Sequence, residues 1–140
     1  MASIFTRIIE GDLPGRFVWR DDKAVAFMEI APMKVGHTLV VPIQEIDHWL
    51  DLDADLASHV FAVAHTIGRA QMAAFAPKRV GLLIAGLEVP HCHMHVVPIQ
   101  KEKELSFGNS DAGATADALD DAADRLRAAL RDLGYDPPRA

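Results

Sequence analysis

Apolar residues recur at steps of three and four along three stretches of the chain, a spacing that places them on one face of a helix. The pattern predicts a short helix over residues 4–11, which Ser3 can cap, a long helix over 53–75 and a last helix over 116–133. In the last helix the acids come early and the arginines late, as the helix dipole favours. The apolar face of the long helix consists of Leu56, Val60, Val63, Ile67, Ala70 and Ala74.

Short apolar runs bounded by turn residues predict five strands. Because neighbouring runs are joined by short turns, we expect an antiparallel sheet with the helices packed on it, an α+β fold. We expect one domain over residues 1–140, divided into a core over 1–98, an irregular loop over 99–115 and the C-terminal helix over 116–134. The predicted strands cover residues 16–20, 24–30, 37–43, 79–85 and 91–98.

Composition suits a folded protein and limits its partners. Half of the 140 residues are apolar, so the chain can bury a core. The formal net charge of −6 disfavours a nucleic acid polymer, because a phosphate backbone needs a basic surface. No apolar run reaches the roughly 20 residues that cross a bilayer, and the N-terminus does not read as a secretory signal. We therefore expect no membrane partner. Because Cys92 is the single cysteine, we also expect no internal disulfide and a cytoplasmic location.

The candidate chemistry lies in the last predicted strand, which holds three of the seven histidines within five residues. Because side chains alternate along a strand, His91, His93 and His95 are expected to share one face. Cys92, Met94 and Val96 would then face the core. A row of imidazoles can attack, carry protons and bind phosphate, because histidine titrates near neutral pH.

Two other interpretations of the histidine row stay open. The row could be a solvated sheet edge, although Lys, Thr or Glu is more usual there. It could also contribute to a zinc hydrolase. His91 and His95 would be about 13 Å apart along a regular strand, so one ion could take two neighbouring histidines plus a ligand such as His37.

The segment His91–Val97 resembles the signature of the histidine triad (HIT) superfamily, in which three histidines alternate with apolar residues. The N-terminal stretch 3–14 and the segments 24–32 and 36–42 are also similar to that family. The likeness covers about residues 3–98 and points to the nucleotide-hydrolase and Hint-like bacterial branches. It implies a HIT-like fold and a homodimer. It also implies no cofactor and no metal ion.

The resemblance assigns roles to four histidines. His93 would be the nucleophile that attacks the α-phosphorus of a nucleotide derivative and forms a nucleotidyl-histidine, which water then hydrolyses. The second ring nitrogen of His93 should donate to a backbone carbonyl, which fixes the tautomer. His91 and His95 would flank the phosphate, and His37 would support the triad.

The resemblance also implies a nucleotide pocket, and the expected ligand carries a purine. Glu29 would bind the ribose hydroxyls, since a carboxylate can accept from two neighbouring hydroxyl groups. The remaining pocket residues are Ile4, Phe5, Ile8, Phe27, Met28, Ile30, Glu88 and Val89.

The chain departs from the family pattern just before the triad. Leu87 and Glu88 stand where the family often has a glutamine and a hydroxyl residue. A carboxylate there repels an anion, so a binding or regulatory module with little catalysis is a second hypothesis. The segment after Gln100 is expected to approach the site of a partner chain.

Overall fold

The structure is a computed structural model that describes residues 1–139. An antiparallel sheet of five strands is accompanied by three helices, in agreement with the predicted α+β class. The strand order is β1-β2-β3-β5-β4. The helices are α1 (Ile4–Ile9), α2 (Ala54–Phe75) and α3 (Ala116–Asp132). The strands are β1 (Phe17–Arg20), β2 (Ala24–Met28), β3 (Thr38–Pro42), β4 (Arg79–Leu83) and β5 (Met94–Ile99).

The sheet is covered on both faces, which explains why its central strands are apolar at nearly every position. Alternate residues of β2 and β3, such as Ala26 and Val40, pack against α2 and α3. The intervening residues Val25, Phe27 and Leu39 pack against α1. A strand buried on both faces reads as a continuous apolar run rather than as an alternation.

Side chains cap all three helices at the N-terminal end. Ser3, Asp53 and Thr115 each accept a hydrogen bond from the backbone N–H three residues later. Such caps satisfy one of the N–H groups that a helix start leaves without an internal partner. Within the described residues, no helix combines the length and the apolar content that a bilayer span requires.

The turn that leads into β3 is fixed by close packing. Gly36 has a φ of +95°, and a Cβ at this position would lie 2.6 Å from the ring of Phe75. On the α2 side of the sheet, the Gln71 amide donates to the carbonyls of Gly36 and Val96 at 3.0 and 2.9 Å. This buried amide therefore joins the turn before His37 to the strand that carries His95.

The triad segment enters the sheet later than predicted. β5 begins at Met94, because the backbone N–H groups of the preceding residues bond outside the β3–β5 ladder. His91 N–H donates to Val89 O and Cys92 N–H donates to Ile46 O. Cys92 still lies in the core against α2 and α3, with Met94 and Val96.

Two other segments also differ from the prediction. β4 ends at Leu83, so residues 84 and 85 leave the sheet. The segment over residues 99–115 contains two short 3-10 helices, Glu102–Glu104 and Phe107–Asn109. It packs back on its own domain, since Leu105 contacts a small apolar cluster formed by Met33, Val97 and Ile99.

Candidate active site

A cavity of about 730 Å³ opens between α1, the end of β2 and the segment that follows β4. His37, His93 and His95 line it. Its wall also carries all nine residues that the sequence analysis assigned to nucleotide binding. They are Ile4, Phe5, Ile8, Phe27, Met28, Glu29, Ile30, Glu88 and Val89.

His93 is held in one tautomer. Its Nδ1 lies 2.8 Å from the carbonyl oxygen of His91. Because a carbonyl only accepts, Nδ1 carries the proton and donates, and Nε2 keeps its lone pair. The ring of Phe5 packs edge-on at a centroid distance of 4.9 Å and limits rotation of the imidazole. The arrangement leaves an unprotonated nitrogen on a residue of the cavity wall.

His37 and His95 form a relay of hydrogen bonds with a single direction. The backbone N–H of Met33 donates to His37 Nδ1 at 3.0 Å, so the proton of neutral His37 lies on Nε2. That nitrogen is 3.0 Å from His95 Nδ1 and donates to it. The proton of His95 must therefore lie on Nε2, which is buried and has no hydrogen-bond partner in the described chain.

Both rings of the relay are neutral at physiological pH. Burial, with smaller contributions from the neighbouring His95 and His93, lowers the pKa of His37 to about 3. Burial likewise lowers the pKa of His95 to about 4, with a smaller contribution from His93. The relay thus ends in one uncharged, buried N–H donor on a residue of the cavity wall, a kind of group that suits an oxyanion.

His91 lies on the predicted face but not beside the cavity, where the resemblance would place it against a phosphate. Its ring is fully buried and is not part of the cavity wall. Ser3 Oγ lies 2.7 Å from Nδ1, and Pro42 O lies 2.7 Å from Nε2. The predicted alternation holds, because Phe5 packs edge-on against both rings, at centroid distances of 6.0 Å from His91 and 4.9 Å from His93, whereas Cys92 and Met94 lie in the opposite core. The geometry leaves neither ring nitrogen free to contact a phosphate.

Glu29 follows β2 at the mouth of the cavity and is partly buried. Burial raises the pKa of its carboxyl group, while the Ala31 N–H and the nearby His93 act in the opposite direction. Oε1 accepts from Ala31 N–H at 3.1 Å, which fixes the side chain on its loop. The carboxylate can still accept from hydroxyl groups of a ligand.

One group of residues in the described chain has the spacing of a metal site. A ligand atom of each of Glu29, His37 and His95 lies within 4.8 Å of the others. The tautomers oppose metal binding, because a ligating nitrogen must be unprotonated. His37 Nε2 and His95 Nε2 both carry protons as long as Met33 N–H donates to His37. Zinc binding would release the proton of each ligating nitrogen, so the zinc hydrolase hypothesis of the sequence analysis stays open.

The charge on the cavity wall is mainly negative. Glu29 and Glu88 supply two carboxylates. Arg16 also lines the cavity, but its Nε is 2.6 Å from Asp120 Oδ1. The side chain of Leu87 is 95% exposed and offers no hydrogen bond to a ligand. The departures seen in the sequence thus lie on the wall itself.

Phe107 and Ser110 are among the residues of the cavity wall that were not predicted as part of the site. The ring of Phe107 packs edge-on against His95 at a centroid distance of 5.2 Å. Both belong to the segment expected to approach a partner's site, and they line the cavity of their own chain. The sequence offered one signal for this part of the wall, because Phe107 is the single aromatic residue in the polar stretch 100–115.

The buried histidines predict how stability changes with pH. The native pKa values of His37 and His95 are about 3 and 4. In the unfolded chain both rings regain the ordinary pKa near 6.5 and bind a proton when the pH falls below that value. The free energy of unfolding should therefore be highest above pH 6.5 and fall as the pH drops from 6.5 to 5. Thermal unfolding at pH 7, 6 and 5 measures this.

A matched pair of variants isolates the buried rings in that experiment. His95→Gln should flatten the dependence between pH 6.5 and 5, whereas His65→Gln, on the exposed side of α2, should leave it unchanged. Below pH 5 the raised pKa of Glu29 acts in the opposite direction, so the comparison stops there. An equal slope in all three proteins would contradict the prediction.

Known proteins share both the sequence pattern and the fold. Protein hit of Bacillus subtilis is 36% identical over 100 residues, which cover 68% of this chain and 69% of that protein. Adenosine 5'-monophosphoramidase hnt1 of Schizosaccharomyces pombe is 27% identical over 108 residues, or 74% of this chain and 78% of that protein. A crystal structure of a zinc-bound histidine triad family protein from Mycobacterium smegmatis matches with a TM-score of 0.82 and 27% identity.

That structural match covers 95% of this chain and 96% of the Mycobacterium smegmatis chain. The HIT domain family itself matches residues 10–102, which include the three histidines and most of the sheet. The resemblance seen in the sequence is thereby confirmed. The chain belongs to the HIT domain family.

Proposed function

We propose that this chain is a nucleotide hydrolase or transferase. It cleaves the bond between the α-phosphate and the leaving group in nucleoside phosphoramidates, adenylylated compounds or dinucleoside polyphosphates. The observation that carries the proposal is the pairing of an unprotonated Nε2 on His93 with an unpartnered Nε2–H on His95 at one cavity wall of the described chain. The name of the Schizosaccharomyces pombe relative, an adenosine monophosphoramidase, supports this reaction class.

The nucleoside would bind at the apolar end of the cavity. Ile4 and Ile30 are 49% and 69% exposed, which is unusual for isoleucine and suits the two faces of a base. Phe5 and Phe27, with ring centroids 5.5 Å apart, form the floor. The Glu29 carboxylate accepts from the ribose hydroxyls, and the α-phosphate then lies beside the histidines. We expect a purine, whose larger ring system covers more of this apolar surface.

The reaction proceeds in two displacements at phosphorus. His93 Nε2 uses its lone pair to form a bond to the α-phosphorus, and the bond from phosphorus to the leaving group breaks. The leaving group departs with the electron pair and takes a proton from solvent. Water then attacks the phosphorus and loses a proton to solvent, the bond from phosphorus to His93 Nε2 breaks, its electron pair returns to Nε2, and the nucleoside monophosphate is released. Covalent catalysis divides one difficult displacement into two easier ones.

His95 stabilises the charge that develops on the phosphoryl oxygens. Its Nε2–H is a fixed donor in a buried site, where a hydrogen bond to an oxyanion is stronger than in water. His37 keeps this donor in place, because it donates to His95 Nδ1. Neutral rings suit this role because they hold their protons on fixed atoms throughout the cycle.

Glu88 is expected to select the leaving group. A polyphosphate would bring further negative charge beside Glu88 and Glu29, and the described part of the wall holds no cationic side chain other than the paired Arg16. Replacing Glu88 by Gln should raise kcat/KM for a dinucleoside polyphosphate about tenfold relative to a phosphoramidate, the size of one charge interaction in a partly solvated site. Steady-state kinetics on both substrates measures the ratio, and an unchanged ratio contradicts the assignment.

Intact mass measurement tests the proposed function directly. The protein is mixed with adenosine 5'-phosphoramidate, quenched within milliseconds in alkaline denaturant to preserve an N–P bond, and weighed. A mass increase of one adenylyl group, mapped to His93, is the expected result. Tight nucleotide binding with neither an adduct nor turnover would favour the regulatory module that Leu87 and Glu88 suggest.

The proposal includes a homodimer in the cytoplasm. β4 is an edge strand, and its Leu82 is 42% exposed. An open edge with an apolar side chain can pair with a second copy of the chain. Light scattering at micromolar concentration tests the assembly, and the mass of a single chain would contradict it.

A further inference from the structure

A hydrogen-bond cluster lies between α1 and the triad, outside the cavity. It consists of Ser3, Thr6, Glu45 and His91, and we call it the α1 clamp. Glu45 Oε1 accepts from Ser3 N–H at 2.7 Å and from the Thr6 hydroxyl at 2.6 Å. Ser3 Oγ lies 2.7 Å from His91 Nδ1. Ser3 and His91 are both buried, and nothing in the proposed reaction uses their side-chain polar groups.

The proton positions in the α1 clamp follow from two backbone groups, the Pro42 carbonyl and the Thr6 N–H. Pro42 O only accepts, so His91 Nε2 donates to it at 2.7 Å. Burial lowers the pKa of His91, which keeps the ring neutral and leaves Nδ1 as an acceptor. Ser3 Oγ already accepts from Thr6 N–H at 3.0 Å, so its own proton is directed to His91 Nδ1. The Thr6 hydroxyl is a more distant neighbour of His91 Nδ1, at 3.4 Å, and donates to Glu45 Oε1 at 2.6 Å.

The α1 clamp determines where the His91 carbonyl points. His91 N–H donates to Val89 O, and the following Cys92 N–H donates to Ile46 O. With the ring held by Ser3 and Pro42, the residue is fixed at its backbone and its side chain. Its carbonyl oxygen then accepts from His93 Nδ1 at 2.8 Å, the bond that leaves His93 Nε2 unprotonated.

We propose that Ser3 is a positioning residue, whose hydroxyl holds His91 so that the His91 carbonyl keeps His93 in the Nδ1–H tautomer. Without the hydroxyl, His91 Nδ1 loses its close donor, because the Thr6 hydroxyl lies 3.4 Å away and already donates to Glu45 Oε1 at 2.6 Å, and the ring is then held less firmly. The carbonyl moves with the residue, and His93 then samples the other tautomer. The kinetic consequence rests on the proposed function, whereas the tautomer itself does not.

Replacing Ser3 by Gly removes the hydroxyl at little cost to the helix, because glycine is nearly as good a cap as serine. In ¹⁵N spectra of the histidine rings, Ser3→Gly should shift His93 from the Nδ1–H form toward a mixture of tautomers. For adenosine 5'-phosphoramidate, kcat should fall about tenfold, since a small misplacement of a reacting group is costly. KM should change little, because the cavity wall is intact.

Three further variants complete the experiment. Ser3→Thr restores the cap and the donor, so it should return both the tautomer and kcat to the wild-type values. Thr115→Gly removes the matching cap of α3 and should change neither. If Ser3→Gly fails to fold, Ser3→Cys, a weaker donor of similar shape, should give an intermediate tautomer ratio.

The outcomes separate the two proposals. If adducts form on His93 but Ser3→Gly keeps the wild-type tautomer and kcat, the positioning role of Ser3 is wrong and the proposed function stands. If no protein forms an adduct or turns over substrate, the proposed function is wrong, and the ¹⁵N spectra still decide the role of Ser3. An equal effect of Thr115→Gly would reduce the Ser3 result to a loss of helix capping and overturn the proposal.

Discussion

His93→Gly is expected to lose at least about 10⁴-fold in turnover of adenosine 5'-phosphoramidate, since removal of a covalent nucleophile typically has an effect of this size. Among the described residues of the cavity wall, no other imidazole presents an unprotonated nitrogen, because His37 and His95 both carry a proton on Nε2. The fold should survive, because His93 is not part of the core formed with α2 and α3. Steady-state kinetics and circular dichroism measure the two effects.

Added imidazole provides the decisive control for that variant. The glycine leaves a space in which free imidazole can take the place of the ring, so millimolar imidazole should restore part of the turnover and none of the protein adduct. His65→Gly removes an exposed histidine from α2 and should retain full activity. Undiminished turnover in His93→Gly would refute the assignment of the nucleophile.

The second large effect is expected at His95. His95→Leu should lower kcat by about 10²–10³-fold, the usual result of removing one donor to a developing oxyanion. The cause is the loss of the buried Nε2–H, which has no partner in the described chain. Because the interaction strengthens in the transition state, kcat should fall more than the affinity for the nucleotide.

Rapid-quench measurement of adduct formation locates this effect in the first displacement. His95→Gln carries an amide N–H at a similar reach and should recover part of the rate, whereas His95→Leu should not. If both variants lose the same rate, the directed N–H is not the source of the effect. If neither loses any, His95 does not contact the phosphate.

Local pattern was sufficient to predict the helices, whereas the resemblance to the histidine triad superfamily supplied the pocket residues. The three-four spacing that begins after Asp53 predicted the start of α2 to within one residue, because cap and periodicity agree there. Phe5 and Phe27 were assigned to the pocket by that resemblance, and each lies in an element whose type was predicted correctly.

Contacts between distant segments were not accessible in the same way. His37 and His95 are 58 residues apart in the chain, and only the pairing of β3 with β5 brings them together. Alternation predicted the face of His91 correctly, but not its contacts with Ser3 and Pro42, which are 88 and 49 residues away in the chain and engage both ring nitrogens. The position of Phe107 depends on a loop that no periodic pattern describes.

The hydrogen bonds of the Gln71 amide predict that inactivating substitutions are not confined to the cavity. The Gln71 side chain reaches through the layer opposite the cavity and joins the Gly36 and Val96 carbonyls, each adjacent to one member of the His37–His95 pair. We expect substitutions at Gln71 to alter the separation of the His37 and His95 rings, although Gln71 does not line the cavity. A random mutagenesis screen for inactive but folded protein would therefore recover hits on the helical side of the molecule as well as at the cavity.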